Sequence, residues 1–549
     1  MAGVWMQIAW VLVLCSVCLA SLSENDQDGV PLPLKAVTSS SQGSPWPMPQ
    51  SITVMPVVYN LVGESQFMFT ASKVQCDILD SAFKRYLGII FFNKPRASKR
   101  PQHAPTHLRF RSAATELRGL NVAVEQPCPD YPQLESDESY SLTISDTSAS
   151  LAATSVWGAL RGLETFSQLI YDNEDGQLVI NKTSITDFPR FSFRGYLVDT
   201  SRHFLSMSSI FKSLDAMAYN KFNVFHWHIV DDQSFPYESK AYPSLSHMNA
   251  YDQNHVYTRE NVKAVIEYAR LRGIRVMPEF DTPGHTQSWV TIPDLLTPCY
   301  SGTTPTGGYG PINPTIDANY DFLKIFFKEV VDLFPDHYVH MGGDEVSFSC
   351  WASNPAITDF MTQHQYGKNY SMLEQYYEQR LLDIMADLQT GYTVWQEIID
   401  NQVKVRPDTI VHVWKGDWQS EAHNVTQKGY RTLISSPYYL NRVTDPYTHQ
   451  WHNLYLVDPA NFNGTDAQKK LVIGGEVCMW GEYVDSTNVI QRTWPRASAV
   501  GERLWSSVNV TSLDDASHRL VEQRCRMVKR GIQAEPVVGP NFCPYEYEE

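Results

Sequence analysis

The run YVHMGGDE (338–345) decides how this chain is read. It opens apolar, passes two glycines and ends on two adjacent carboxylates, Asp344 and Glu345. Like charges side by side repel, and glycines give up side-chain contacts. A chain that accepts both costs is making backbone room for a ligand beside two acids whose proton affinities are pushed apart. A solvated turn has the same composition, so the neighbouring sequence must arbitrate. It repeats the pattern. Short apolar runs ending in polar or charged residues recur as GYLVDTSR (195–202), FNVFHWHIVDD (222–232), IRVMPEFDTPGH (274–285), TVWQE (393–397), TIVHVW (409–414), RTLISSPYYLN (431–441) and VIGGEVCMWGE (472–482). Helix-patterned segments such as MSSIFKSLDAMAYN, TRENVKAVIEYARLRG, ANYDFLKIFFKEVVDLF and LEQYYEQRLLDIMADL lie between several of them. Eight buried strands alternating with helices predict an α/β chain with a (β/α)8 TIM barrel. The rival, a doubly wound open sheet, usually carries a Gly-rich phosphate turn after its first strand, and none follows here.

Upstream, residues 51–188 mix strand-like pieces (QFMFT, YSLTIS) with two helical stretches, CDILDSAFKRYLGIIFF and SASLAATSVWGALRGLETFSQLIY, which predicts a smaller α+β domain. DFPRFSFRG (187–195) reads as a joint, and the catalytic barrel as 189–549. Residues 21–50, rich in Ser, Pro and Gly, read as a loose segment. The apolar run 8–20, IAWVLVLCSVCLA, is too short to span a bilayer and ends on small residues, so residues 1–20 read as a signal peptide that lacks a basic start. No later run has the length of a membrane helix.

The net charge of −16 excludes a basic stripe for nucleic acid. Of nine cysteines, Cys15 and Cys18 fall in the leader. The rest are Cys76, Cys128, Cys299, Cys350, Cys478, Cys525 and Cys543, an odd set that suits disulfides plus one thiol in a secreted chain. Counting does not fix connectivity; pairing along the chain would join Cys76–Cys128, Cys299–Cys350 and Cys525–Cys543 and leave Cys478 in an apolar strand. Glycosylation sequons stand at Asn181, Asn369, Asn424, Asn463 and Asn509.

Chemistry in such a barrel sits at the C-terminal ends of the strands. Those ends hold Arg202, Asp231, Asp232, His285, Asp344, Glu345, Trp395, Glu397, Trp414, Tyr439, Asn441, Arg442, Trp480 and Glu482. Aromatic faces stack on sugar rings, and carboxylates, Arg and Asn bind hydroxyls. Glycoside cleavage also needs an acid of raised proton affinity. A divalent-metal hydrolase is the competing class, but HExxH-type spacing is absent and several tryptophans have no use there. No metal and no cofactor are expected. In HWH (226–228) the two histidines share one strand face opposite Trp227, and both read as structural; Trp227 and Met479 read as core. Asp232 fits a hydroxyl ligand or a helix cap.

HMGGDEVSFSCW (340–351), with VDTSRHF, FHWHIVDDQSFP, PEFDTPGHT, YYLNR and GGEVCMWGEYVD, closely resembles the lysosomal β-N-acetylhexosaminidases, retaining glycoside hydrolases that use the substrate's own acetamide. The resemblance runs from about residue 46 to the last cysteine. It implies Glu345 as general acid and then base, Asp344 on the acetamido N–H, and Asp231 with His285 as a relay behind Glu345. It implies Arg202 and Glu482 on ring hydroxyls, Trp395, Trp414 and Trp480 as walls, and Tyr439 on the acetamide oxygen. Asn441-Arg442 falls where α-type subunits carry a basic residue able to meet a 6-sulfate; the bland alternative pairs Arg442 with Asp445. The segment 299–314 resembles the α-type loop associated with ganglioside and activator binding, with Thr303 and Thr304 in place of more polar residues. Glycan and glycolipid substrates, a homodimer or a heterodimer with a β-type subunit, a ganglioside activator protein and lysosomal residence are further implications. The rivals are a secreted enzyme acting on chitin fragments and a catalytically silent sugar-binding protein.

Overall fold

The computed structural model describes residues 43–92, 115–146, 148–173, 175–442, 450–539 and 542–543. The signal-peptide reading, and Asp445 as a partner for Arg442, fall outside these residues.

All eight apolar runs become strands of one closed parallel barrel. They are β1 (Phe193–Asp199), β2 (Val224–Val230), β3 (Arg275–Phe280), β4 (Tyr338–His340), β5 (Gly391–Trp395), β6 (Ile410–Val413), β7 (Arg431–Ile434) and β8 (Val472–Met479), with β8 pairing back onto β1. The intervening helices include Met207–Tyr219, Arg259–Arg270, Asp317–Leu333 and Tyr370–Asp387. Strand alternation sorts the side chains. In β2, Phe225, Trp227 and Ile229 point outward into the main apolar core against the helices. His226 and His228 point inward. The N-terminal end of the barrel is plugged by Phe193, Val224, Met277, Tyr338, Ile410 and Leu433, with Leu134 from the preceding domain. Above this plug the interior turns polar. His226 meets Glu476 at 2.8 Å and Glu279 at 3.1 Å, His340 meets Glu279 at 3.1 Å, and His340 Nε2 lies 3.3 Å from His412 Nδ1. Gly195 makes room for this layer, since a Cβ there would lie 2.4 Å from Glu476 Oε2.

The N-terminal domain is an eight-stranded mixed sheet whose main path runs Met68–Ser72, Gly119–Val124, Ala149–Ala153, Tyr140–Ile144, Leu178–Asp187, Ser51–Leu61, Glu116–Leu117. Two helices, Asp77–Ile90 and Val156–Leu169, pack on it. The stretch read as one helix from Ser148 is split. Ala149–Ala153 forms a strand paired on both sides, and Ser155 then caps the helix by accepting from the N–H groups of Trp157 and Gly158. Small alanines carry no periodic signal, and sheet pairing overrode their helix propensity.

Residues 43–50, part of the segment read as loose, are packed. Trp46 is buried against Trp451, Tyr455, Ala499 and Leu520, and its Nε1 donates to the Ser498 carbonyl at 3.0 Å. A Pro/Ser-rich composition hid one large apolar anchor. The two domains are joined by buried ion pairs: Glu138 accepts from Arg161 and Arg194, each at 2.7 Å, and Lys221 meets Asp187 at 2.8 Å.

Disulfides link Cys76–Cys128, Cys299–Cys350 and Cys525–Cys543, and Cys478 is a buried thiol in β8. The second of these ties a hairpin (Leu296–Ser301 with Thr304–Ile312) to the short helix Ser349–Ser353, just beyond Glu345. Asn369, Asn424, Asn463 and Asn509 are exposed. Asn181 is half-buried in a strand and accepts from the Tyr171 hydroxyl at 2.7 Å. Among the described residues no helix is long and apolar enough to cross a membrane.

Candidate active site

At the C-terminal mouth of the barrel is a cavity of about 230 Å³, lined by Arg202, His228, Asp231, Asp281, His285, Asp344, Glu345, Trp414, Tyr439, Asn441, Arg442, Trp480 and Glu482. It is small beside the roughly 300–1,000 Å³ of sites for drug-sized ligands, and suits one sugar ring.

The acid pair is placed by its glycines. Gly342 (φ +69°) and Gly343 (φ +95°) turn the chain after β4 in a region that side chains disfavour. A Cβ on Gly342 would lie 1.8 Å from Asp281 Oδ1, and one on Gly343 would lie 2.4 Å from Ile398 Cδ1. The Gly343 N–H donates to Asp281 Oδ1 at 2.8 Å, which pins the turn to β3. Asp344 then points inward and is buried, with no hydrogen-bond partner for its Oδ1 among the described residues. Glu345, at φ +53°, flares outward and its side chain is 59% exposed. The adjacent acids thus differ in setting, one buried and one open to solvent. The left-handed backbone at Glu345, and at His285 (φ +53°), is strain of about 1–3 kcal/mol per residue that the packing must hold.

His285 Nε2 lies 3.8 Å from Glu345, 4.0 Å from Asp344 and 3.9 Å from Asp281, while its Nδ1 meets Asp231 at 3.1 Å. Burial opposes a charge on His285, but the Asp231 hydrogen bond and the charges of Asp344 and Asp231 outweigh it and raise the imidazole to about 9. Asp231 is buried too, yet hydrogen bonds from His228 (2.7 Å) and His285 hold it well below the usual carboxylate range. Asp281 goes the other way: burial and the charge of Asp344 push it well above that range.

Arg202 is clamped by Asp199 at 3.1 Å and Asp231 at 2.8 Å, with its guanidinium 5.2 Å from the Trp480 ring centroid. Asp199 also accepts from Gly481 N–H at 2.9 Å, so one carboxylate aligns the loops after β1 and β8. Trp414, Tyr439 and Trp480 form an aromatic wall with centroids 6.2 and 6.5 Å apart. The Asn441 Oδ1 is buried without a hydrogen-bond partner among the described residues. Arg442 is exposed, 4.4 Å over the Tyr439 ring, and Glu482 is exposed on the rim.

Trp395 does not line the cavity. It is 1% exposed and packs beneath the wall, stacked on His412 at 4.3 Å, with its Nε1 donating to Glu279 at 2.8 Å. Trp395 is the last residue inside β5 and stands level with His412 of β6, whereas Trp414 and Trp480 each come one residue after their strands end and so sit higher in the mouth. Asp232 proves to be a loop brace, accepting from Gln287 N–H at 2.9 Å where a short 3-10 turn begins. His228 is more than structural, because it lines the cavity and orients Asp231. Asp281 and Asp199 were missed as site residues. The available signal was their place at the ends of β3 and β1, in FDTPGH and VDTSR. Among the described residues, three groups bring ligand-type atoms within 4.8 Å of one another: His226, His340 and His412; Asp231, Asp232 and His285; and Asp281, His285 and Asp344.

A cavity for one ring, with an aromatic wall, a forked guanidinium and two acids, one buried and one exposed, is equipped to bind a terminal sugar and protonate its glycosidic oxygen. The fold and site define a glycoside hydrolase. The catalytic-domain model of glycosyl hydrolase family 20 matches residues 191–508, and that of "beta-acetyl hexosaminidase like" matches residues 45–169. The chain is 51% identical to the rat beta-hexosaminidase subunit alpha over 92% of its length and 95% of the relative's. It is 49% identical to the human subunit beta, covering 91% and 90%. The solved Flavobacterium johnsoniae chitobiase superposes with TM-score 0.75 at 29% identity, over 89% of this chain and 73% of that one. The chain belongs to glycosyl hydrolase family 20 and is a hexosaminidase of that family.

Proposed function

We propose that this enzyme is a lysosomal exo-acting hydrolase that removes terminal, non-reducing β-linked N-acetylglucosamine and N-acetylgalactosamine from gangliosides, glycoproteins and sulfated oligosaccharides. The observation that carries this reading is the buried Oδ1 of Asp344, unpartnered among the described residues, beside the outward-flared Glu345. A buried acceptor without a donor is costly, and the acetamido N–H of the substrate would supply one. That contact turns the acetamide oxygen toward C1.

In the first step the acetamide oxygen bonds to C1 as the C1–O glycosidic bond breaks, and Glu345 gives its proton to the leaving oxygen. Asp344 holds the N–H as positive charge develops on the resulting oxazolinium ring. In the second step Glu345, now a carboxylate, takes a proton from water as the water oxygen bonds to C1 and the ring opens. Two inversions give retention without a covalent bond to the enzyme, an exception to the two-carboxylate scheme. The cationic His285, 3.8 Å from Glu345, offsets negative charge at the acid pair during turnover. Arg202 and Glu482 bind ring hydroxyls, Tyr439 the acetamide oxygen, and Trp414 and Trp480 the ring and methyl faces. Arg442 supports the α-type reading, since a guanidinium at the rim can meet a 6-sulfate. Pairing with a second copy or with a β-type subunit, and an activator protein meeting the exposed hairpin 304–309, extend the same reading.

The test compares Glu345→Gln and Asp344→Asn with the unaltered enzyme on an aryl β-N-acetylglucosaminide. Loss of general acid catalysis should cut kcat about 10²–10⁴-fold while the sugar still binds. Undiminished turnover in Glu345→Gln would remove the mechanism. Comparable rates on the 6-sulfated substrate, lost selectively in Arg442→Gln, would support the α-type reading; turnover of the neutral substrate alone would sink it.

A further inference from the structure

Behind the catalytic turn stands a carboxyl group that the mechanism does not use. Glu378, on the helix Tyr370–Asp387, is 1% exposed, and among the described residues neither of its oxygens has a hydrogen-bond partner. A Cβ on Gly343 would lie 3.4 Å from Glu378 Oε1, so this carboxyl packs against the bare Cα of the residue before Asp344. From its own helix it faces Glu374 and Tyr377; from the end of β4 it faces Asp344. Tyr320, with Arg380 over its ring at 3.5 Å, approaches from the helix Asp317–Leu333. Asp281 reaches the group through Tyr377, and Glu397 through Glu374. Lys415, the cation that approaches this cluster from the loop after β6, is bound to Glu397 at 2.5 Å.

A buried carboxylate with no donor is unstable as an anion, so such a group keeps its proton. Burial and the charges of Glu374 and Asp344 push Glu378 well above the ordinary range, and burial with the charge of Glu397 raises Glu374 to about 7. The geometry points to Glu378 as a positioning residue that ties turnover to acidity. Uncharged, it fills the space behind Gly343 and leaves Asp344 in place; ionised, it sets a second negative charge behind Asp344 and forces the turn away. The inference rests on Asp344 and Glu345 being the working pair.

The experiment is the pH profile of kcat for the full-length enzyme and for Glu378→Gln and Glu378→Asp. Gln keeps the shape and cannot ionise. Its upper pH limb should move up by about one unit, which is about tenfold more turnover on that limb, with KM unchanged. Asp, which can still ionise, should keep the upper limb near that of the unaltered enzyme. A Gln limb that coincides with the unaltered one overturns the inference. A second readout keeps the test decisive if Gln folds poorly: infrared spectra of the unaltered enzyme near neutrality should show a protonated-carboxyl stretch that disappears in Glu378→Gln or in an apolar Glu378→Leu. No difference there overturns it as well. Failure of the site reading is separable, because it would show as retained turnover in Glu345→Gln at every pH.

Discussion

Replacing Gly342 by Ala tests whether the packing of one turn holds the acid pair. The backbone there has φ +69°, and the new Cβ would meet Asp281 at 1.8 Å from Oδ1 and 2.7 Å from Cα. A backbone atom that close cannot swing aside as a flexible side-chain end can. The left-handed conformation costs a side chain about 1–2 kcal/mol, and overpacking adds about 1–3 kcal/mol. Gly429→Ala separates the two effects, since Gly429 has φ +89° with nothing among the described residues within 4 Å of its added Cβ. We expect Gly429→Ala to lose about 1–2 kcal/mol by the backbone term alone, and Gly342→Ala about 2–5 kcal/mol by both. The assay is the urea midpoint followed by tryptophan fluorescence, compared between variants of equal slope. Because the shift propagates into Asp344, kcat/KM of Gly342→Ala should fall about 10²-fold, the penalty of a misplacement near 1 Å. If Gly342→Ala matches Gly429→Ala in both midpoint and kcat/KM, contact with Asp281 does not position the pair.

Other outcomes follow from the surrounding groups. His285→Gln removes the cation facing Asp344 and Glu345 and should lower kcat at least about tenfold with KM little changed; equal kcat would sink the relay. Histidines 226, 228 and 285 are raised from 6.5 to about 9, 10 and 9. Groups raised on folding contribute stability that is complete below their unfolded value and is lost as pH rises through the folded one. The melting temperature should therefore fall between about pH 6.5 and 10, and a flat profile there would contradict the assignment of charged histidines. Trp395→Phe takes the Nε1 donor from Glu279 without touching the cavity wall. It should cost about 1–3 kcal/mol of stability while leaving KM near that of the unaltered enzyme, whereas a large rise in KM would return Trp395 to the wall.

What the sequence determined by itself was the periodic part of the molecule and the chemistry at its strand ends. Eight short apolar runs are legible because a strand buried on both faces needs continuous apolar or packed residues, and each run ends where the barrel meets solvent. Asp344-Glu345 stood out because two glycines and two acids violate local preference together, and such violations concentrate at functional sites. The split of 148–171 into strand and helix was not legible. Alanine and serine suit either element, and only the partners on both sides of Ala149–Ala153 decided it. Trp395 shows the same limit within the site. Its residue type suited a sugar wall, but which indole faces the cavity depends on where each strand stops, a property of barrel closure. Asp281 and Glu378 mark the limit most clearly. Both are ordinary acids in the chain, separated by nearly a hundred positions. Only packing brings them to either side of the Gly342-Gly343 turn, removes them from water and thereby raises their proton affinity.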